Sequence, residues 1–160
     1  MTQDPDELEE RRERADLAQR IDAAFAPVPR PHPPITEGTG PLNEDVERAL
    51  AGKPAGDVSA ADAHEVRMDL PYLTPEAFTY YLPSLLRILL VGDTYVDSLD
   101  TSVFGMLTPP DDPARAKAFE RRTALLDRAQ RDALADYLEW YAEGESALPG
   151  RERALAYWRS

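Results

Sequence analysis

Cysteine is absent from the 160 residues, so the chain can form no disulfide, no thiolate metal site and no thiol nucleophile. That absence suits a cytoplasmic address, which is the expectation here. Glycine is scarce, at 8 residues, and none of the patterns GxSxG, GxxxxGKS/T or GxGxxG occurs. No strained serine elbow, phosphate-cradling loop or dinucleotide turn is expected, and no cofactor. Histidine occurs only as His32 and His64, without an HExxH pattern. His64 with Glu65 and Asp69 could supply part of an oxygen- and nitrogen-rich metal site, but charged neighbours at a helix end explain the trio equally well, and no metal is expected. A serine nucleophile at Ser84 or Ser102 would need a base, and the sequence brings neither histidine near.

Long apolar runs are also missing. The longest, about Leu82 to Val91, is interrupted by Ser84 and Arg87 and falls far short of the ~20 residues that cross a bilayer. The N-terminus, MTQDPDELEERRERADL, has no apolar h-region, so no secretory leader is expected. Positive charge is in deficit: 18 basic residues face 30 acidic ones, a net charge of −12. Such a field repels a nucleic-acid backbone. Between Arg87 and Arg115 there is no basic residue at all.

What is present is helix-forming sequence punctuated by 15 prolines. The spacing of Leu17, Ile21, Ala24 and Phe25 predicts an amphipathic helix from about Asp6 to Phe25. Its start, over residues 1–14, has little to bury and reads as a solvated arm. PVPRPHPP, residues 27–34, cannot be helix or inner strand. It reads as a polyproline strap across the helices, or as a PxxP ligand for an SH3-like module. Short helices are predicted over Leu42–Ala51, closed by Gly52, and up to Val66, capped by Ser59 or Asp62. MDLPYL reads as extended, because Pro71 disfavours helix at Leu70.

LTPEAFTYYLPSLLRILL holds the most informative helix. Thr74 is a good N-cap, Pro75 suits the first helical position and Glu76 suits the first turn. Phe78, Tyr81, Leu82, Leu85 and Leu89 form its stripe, and Leu86, Ile88 and Leu90 widen it until the helix must be surrounded. Pro83 falls inside and removes the bond to the Thr79 carbonyl, so a kink is expected. A tyrosine hydroxyl, a water or another side chain would then have to satisfy that carbonyl. Further helices are predicted over Thr94–Leu107, with Tyr95, Leu99, Val103 and Met106 inward, over Ala114–Arg122, and from Leu125 or Asp127 to Glu143. A final stripe of Ala154, Leu155 and Trp158 docks back. The expected fold is mainly α: residues 1–160 form one domain, an irregular helical bundle around a proline-kinked central helix.

Several blocks carry a resemblance: IDAAFAPVPRP at 21–31, LPYLTPEAFTYYLPSLL at 70–86, DSLDTSVFGMLTPP at 97–110, LLDRAQRDALADYLEWY at 125–141 and ALAYW at 154–158. They resemble a bacterial domain family of unknown function, whose members pair an AFxxVPRP element with an LTPExFxYYLP element. The resemblance covers most of the chain and departs most over residues 35–69. It implies a small, mainly helical domain and brings no catalytic residue with it.

Two functional readings remain open. One is a protein-interaction module, immunity- or inhibitor-like, that meets a basic protein partner. Asp93, Asp97 and Asp100, spaced for one helical face and without nearby bases, are its candidate residues. The other is a small-ligand binder or enzyme with a pocket at the Pro83 kink, lined by Glu76, Tyr80 and Tyr81. Tyr72, Tyr80 and Trp140 fall off the main buried stripes and could line a groove or an interface.

Overall fold

The computed structural model describes residues 2–143 and 149–160. Among them are eight α-helices and no strand: α1 (Pro5–Phe25), α2 (Pro41–Leu50), α3 (Ala60–Val66), α4 (Pro75–Val91), α5 (Leu99–Leu107), α6 (Pro113–Thr123), α7 (Arg128–Glu143) and α8 (Arg151–Arg159). Buried side chains from all eight join one apolar cluster. No helix among the described residues is long and apolar enough to cross a membrane.

Helix α4 is the centre. The Thr74 hydroxyl accepts the Ala77 N–H, Pro75 opens the first turn, and eleven of its residues are buried, Pro83 among them. Helices α1, α5 and α6 pack against it. The helix runs from Pro75 to Val91 through Pro83. One turn earlier, the Thr79 hydroxyl donates to the Pro75 carbonyl at 2.8 Å. Proline at i+4 and a threonine bonded back to i−4 both perturb the same turn.

The tyrosine hydroxyls do not turn toward the carbonyl that Pro83 frees. Tyr80 Oη accepts the Ala55 N–H at 2.9 Å, while Tyr81 Oη reaches the carbonyls of Leu50 at 2.7 Å and Lys53 at 2.8 Å. Ser84 and Arg87 donate to the Ala55 carbonyl. Residues 80, 84 and 87 lie at i, i+4 and i+7, so one polar edge of α4 clamps the loop after α2. The same loop is tied to α3 by Lys53, which pairs with Asp62 at 2.7 Å. Asp62 also completes a capping box with Ser59. Burial alone would raise the Asp62 carboxyl, but the hydrogen bonds from Lys53 and Ser59 overcome it and hold the group below its usual range.

The segment after the prolines is held by one carboxylate. Glu47 Oε1 accepts from Ile35 N at 2.6 Å and from Thr36 N and Thr36 Oγ1, both at 3.0 Å. Thr36 then makes an isolated antiparallel bridge with Leu73.

Two predicted elements differ. Leu70–Tyr72 is a short 3₁₀ turn rather than extended chain. Such a turn needs donors only from Tyr72 and Leu73, which bond Asp69 and Leu70, so the missing N–H of Pro71 costs nothing there. Helix α5 begins at Leu99, not Thr94. Ser98, in the left-handed region at φ 65°, sets the turn just before it. Upstream, a side chain on Gly92 would collide with the Ile88 carbonyl, which marks the tight exit from α4. As a result Val96 is buried and Tyr95 lies open at 81% exposure.

Candidate functional site

A cleft of about 450 Å³ opens between the 3₁₀ turn, α5 and α6. Leu70, Met106 and Phe119 give it an apolar floor, and Met68, which is 66% exposed, stands at its edge. Three cations line it: Arg67, which caps α3, and Arg115 and Arg122, seven residues apart on one face of α6. Among the described residues the lining contains no carboxylate and no histidine.

The charge state of this cleft is unusual for so acidic a chain. Among the described residues none of the three arginines makes an ion pair with a carboxylate. The Nε atoms of Arg67 and Arg122 are buried without a hydrogen-bond partner. Arg67 spends one terminal nitrogen on the His64 carbonyl. Arg122 lies over the Phe78 ring, 5.7 Å from its centroid. Burial, and then the charge of Arg121, pull the Arg122 guanidinium below its ordinary range, while Glu37 works the other way. Glu37 itself is paired with Arg121 at 2.6 Å. A guanidinium does not shed its proton at such shifts. It remains a desolvated cation with unused donors, the condition that an incoming anion relieves.

Two details fit this cleft for binding. Gly105 on α5 lines it, and a Cβ added there would meet nothing within 4 Å, so its backbone leaves the cleft wall open. The Thr108 hydroxyl is turned to the Phe104 carbonyl at 2.7 Å, and Ser102 Oγ has only the Met68 sulfur, at 3.8 Å, beside it. Among the described residues, no carboxylate or histidine lines the cleft beside either hydroxyl.

The residues singled out from the sequence lie elsewhere and are not brought together. Asp93 and Asp97 are exposed in the connection between α4 and α5, and only Asp100 is helical, in the first turn of α5. The single helical face expected for the three carboxylates does not exist, because the helix starts too late. Asp100 accepts from Tyr141 Oη at 3.2 Å and thereby joins α5 to α7. Glu76 is exposed at the start of α4 and lines a separate cavity of about 330 Å³ with Pro27, Pro29, Leu125 and Asp127. Tyr80 and Tyr81 are engaged with the loop after α2, so the polar groups beside Pro83 serve packing. Burial, then the neighbouring Tyr80, push the Tyr81 hydroxyl up to about 12. His32 and His64 are exposed. Among the described residues no group of three or more His, Asp or Glu is arranged to hold a metal ion.

Sequence reasoning missed Arg67, Arg115 and Arg122. ARAKAFERR does place Arg115, Phe119 and Arg122 on one helical stripe. Nothing local links that stripe to Arg67, which arrives from a turn 48 residues before Arg115.

No curated protein and no solved structure matches this chain. Residues 13–160 match a family of unknown function, DUF6714, and the chain belongs to that family.

Proposed function

We propose that the protein is a non-catalytic interaction module that receives an acidic group of a protein partner in the cleft of Arg67, Arg115 and Arg122. The observation that carries this reading is that, among the described residues, no carboxylate partners these three cations in so acidic a chain. The apolar floor and the exposed Met68 support it, since thioether side chains adapt to varied apolar neighbours. The recognised segment therefore combines an acid with an apolar side chain. Under this reading the partner's group is acidic, where the acidic sequence leads to the expectation of a basic partner.

The test is fluorescence anisotropy with labelled acidic–apolar and basic–apolar peptides, on wild type and on an Arg67→Met/Arg115→Met double variant. Acidic peptides should bind wild type and lose most of that binding in the variant. Equal binding of acidic peptides to both proteins would sink the reading. A second reading keeps the basic partner and places it at the α4–α5 connection. It is favoured by Tyr95, exposed between the exposed carboxylates of Asp93 and Asp97. Under it, basic peptides bind wild type and fail on an Asp93→Lys/Asp97→Lys variant.

A further inference from the structure

We infer that the group taken by the arginine cleft is a phosphomonoester dianion carried on an apolar side chain of the partner, rather than a carboxylate. This rests on the reading that the cleft binds an anion at all. A carboxylate has one charge and two oxygens. Three guanidiniums line this cleft, and two of them hold a buried Nε with no partner. One carboxylate cannot neutralise the charge of three guanidiniums. A phosphomonoester brings close to two charges and three terminal oxygens, and planar guanidinium donors match it in bidentate fashion.

The surroundings narrow the source. A net charge of −12 opposes approach to a nucleic-acid backbone or an anionic membrane, where many phosphates act at once. A single phosphate reaching into a cleft of about 450 Å³ meets the local cations instead, and Leu70, Met106 and Phe119 provide a floor for the group that carries it. A phosphorylated side chain has both parts.

The experiment is titration calorimetry with phenyl phosphate, phenylacetate and inorganic phosphate, between pH 5 and pH 7.5. The second ionisation of a phosphomonoester falls near pH 6, so phenyl phosphate should bind about tenfold more tightly at the upper end. Phenylacetate should bind more weakly and change little over that range. It also serves as the control for titration of the protein. Charged groups around the site include Arg67, Arg115 and Arg122 in the lining, Arg121 and Glu37 beside Arg122, His64 next to Arg67, and Asp69 between Met68 and Leu70. A change in the protein's own charge over that window would appear with both organic probes.

Arg122→Met should weaken phenyl phosphate about tenfold or more. Because Arg122 also packs on Phe78, Gly105→Leu is the second variant: it fills the cleft from an open position, leaves every charge in place and should abolish binding. Inorganic phosphate should bind more weakly than phenyl phosphate, since it leaves the floor uncovered. Equal affinity for phenyl phosphate and phenylacetate, with no pH dependence, would overturn this inference while leaving the anion-binding reading intact. No binding of any probe would overturn both. A last arm compares a phosphotyrosine peptide with vesicles containing phosphatidic acid. Preference for the vesicles would overturn the assignment to a protein side chain.

Discussion

Arg122 covers the ring of Phe78, its guanidinium carbon 5.7 Å from the centroid, and this contact joins α6 to the central helix at the edge of the cleft. It is the head group that makes this contact, and its Nε is buried and unbonded. Arg122→Met keeps the stem and removes the desolvated charge. Its unfolding free energy in urea should equal that of wild type or exceed it by up to about 1 kcal/mol, even as anion binding is lost. A loss of more than about 1 kcal/mol would mean that the charge itself holds α6 in place.

Tyr137 presents a comparable case inside the bundle. It is fully buried, its ring stacks on Tyr141 at 3°, and its hydroxyl has no hydrogen-bond partner among the described residues. Burial, then Tyr141 and Asp100, drive its ionisation far above the ordinary tyrosine range. Tyr137→Phe removes an unsatisfied hydroxyl and keeps the ring. Stability should hold or rise by about 1 kcal/mol, read from denaturant midpoints at unchanged slope. A clear loss would reveal a bond made by that hydroxyl to ordered water.

Tyr81→Phe should behave in the opposite way. Its hydroxyl serves the carbonyls of Leu50 and Lys53. Removing it strands buried acceptors, at a cost of about 1–3 kcal/mol. Hydrogen exchange should show faster opening of residues 50–55 before the rest of the chain. An unchanged melt would contradict the view that α4 clamps this loop.

Acid sensitivity should divide between two aspartates of opposite sign. The Asp62 carboxyl is held below its ordinary value of 3.8, so its contribution is complete above that pH and is lost as pH falls through the lower folded value. Asp62→Asn should therefore destabilise at pH 7, and the difference from wild type should close below about pH 3.8. Asp69 is raised above 3.8, by burial first and then by Asp45, so its charged form weakens the fold at neutral pH. Asp69→Asn should stabilise at pH 7, with the gain shrinking as pH falls through the raised folded value toward 3.8. Melts of both variants from pH 3 to pH 7 check the two signs together.

The parts of this fold that sequence reveals are those with local causes. Thr74 and Ser59 cap their helices because their side chains bond amides three residues away, a relation visible in one dimension. The apolar face of α7 is equally plain, with Leu134, Tyr137 and Leu138 buried. The start of α5 is not, because Ser98 adopts a left-handed conformation that serine seldom takes, and the apolar period runs across it without a visible break. That one turn dissolves the expected acidic helical face. The arginine cleft is hidden for another reason. Its charge deficit depends on where the carboxylates of the described residues fail to reach, and that is a property of the assembled chain.

Trp158 closes the core. It is fully buried, its Nε1 donates to the Leu107 carbonyl at 2.7 Å, and its ring meets Phe119 and Tyr157 edge-on. The largest interior side chain thus arrives after nearly every residue it must touch has been made. In sequence order, Leu107 of α5, Phe119 of α6 and Arg131 of α7 all precede the tryptophan that packs on them. Compact intermediates are then obliged to expose the surfaces of α5, α6 and α7 until residue 158 is free to dock. The core of this molecule is thus completed across a separation of 51 residues, by the bond from Trp158 to the Leu107 carbonyl.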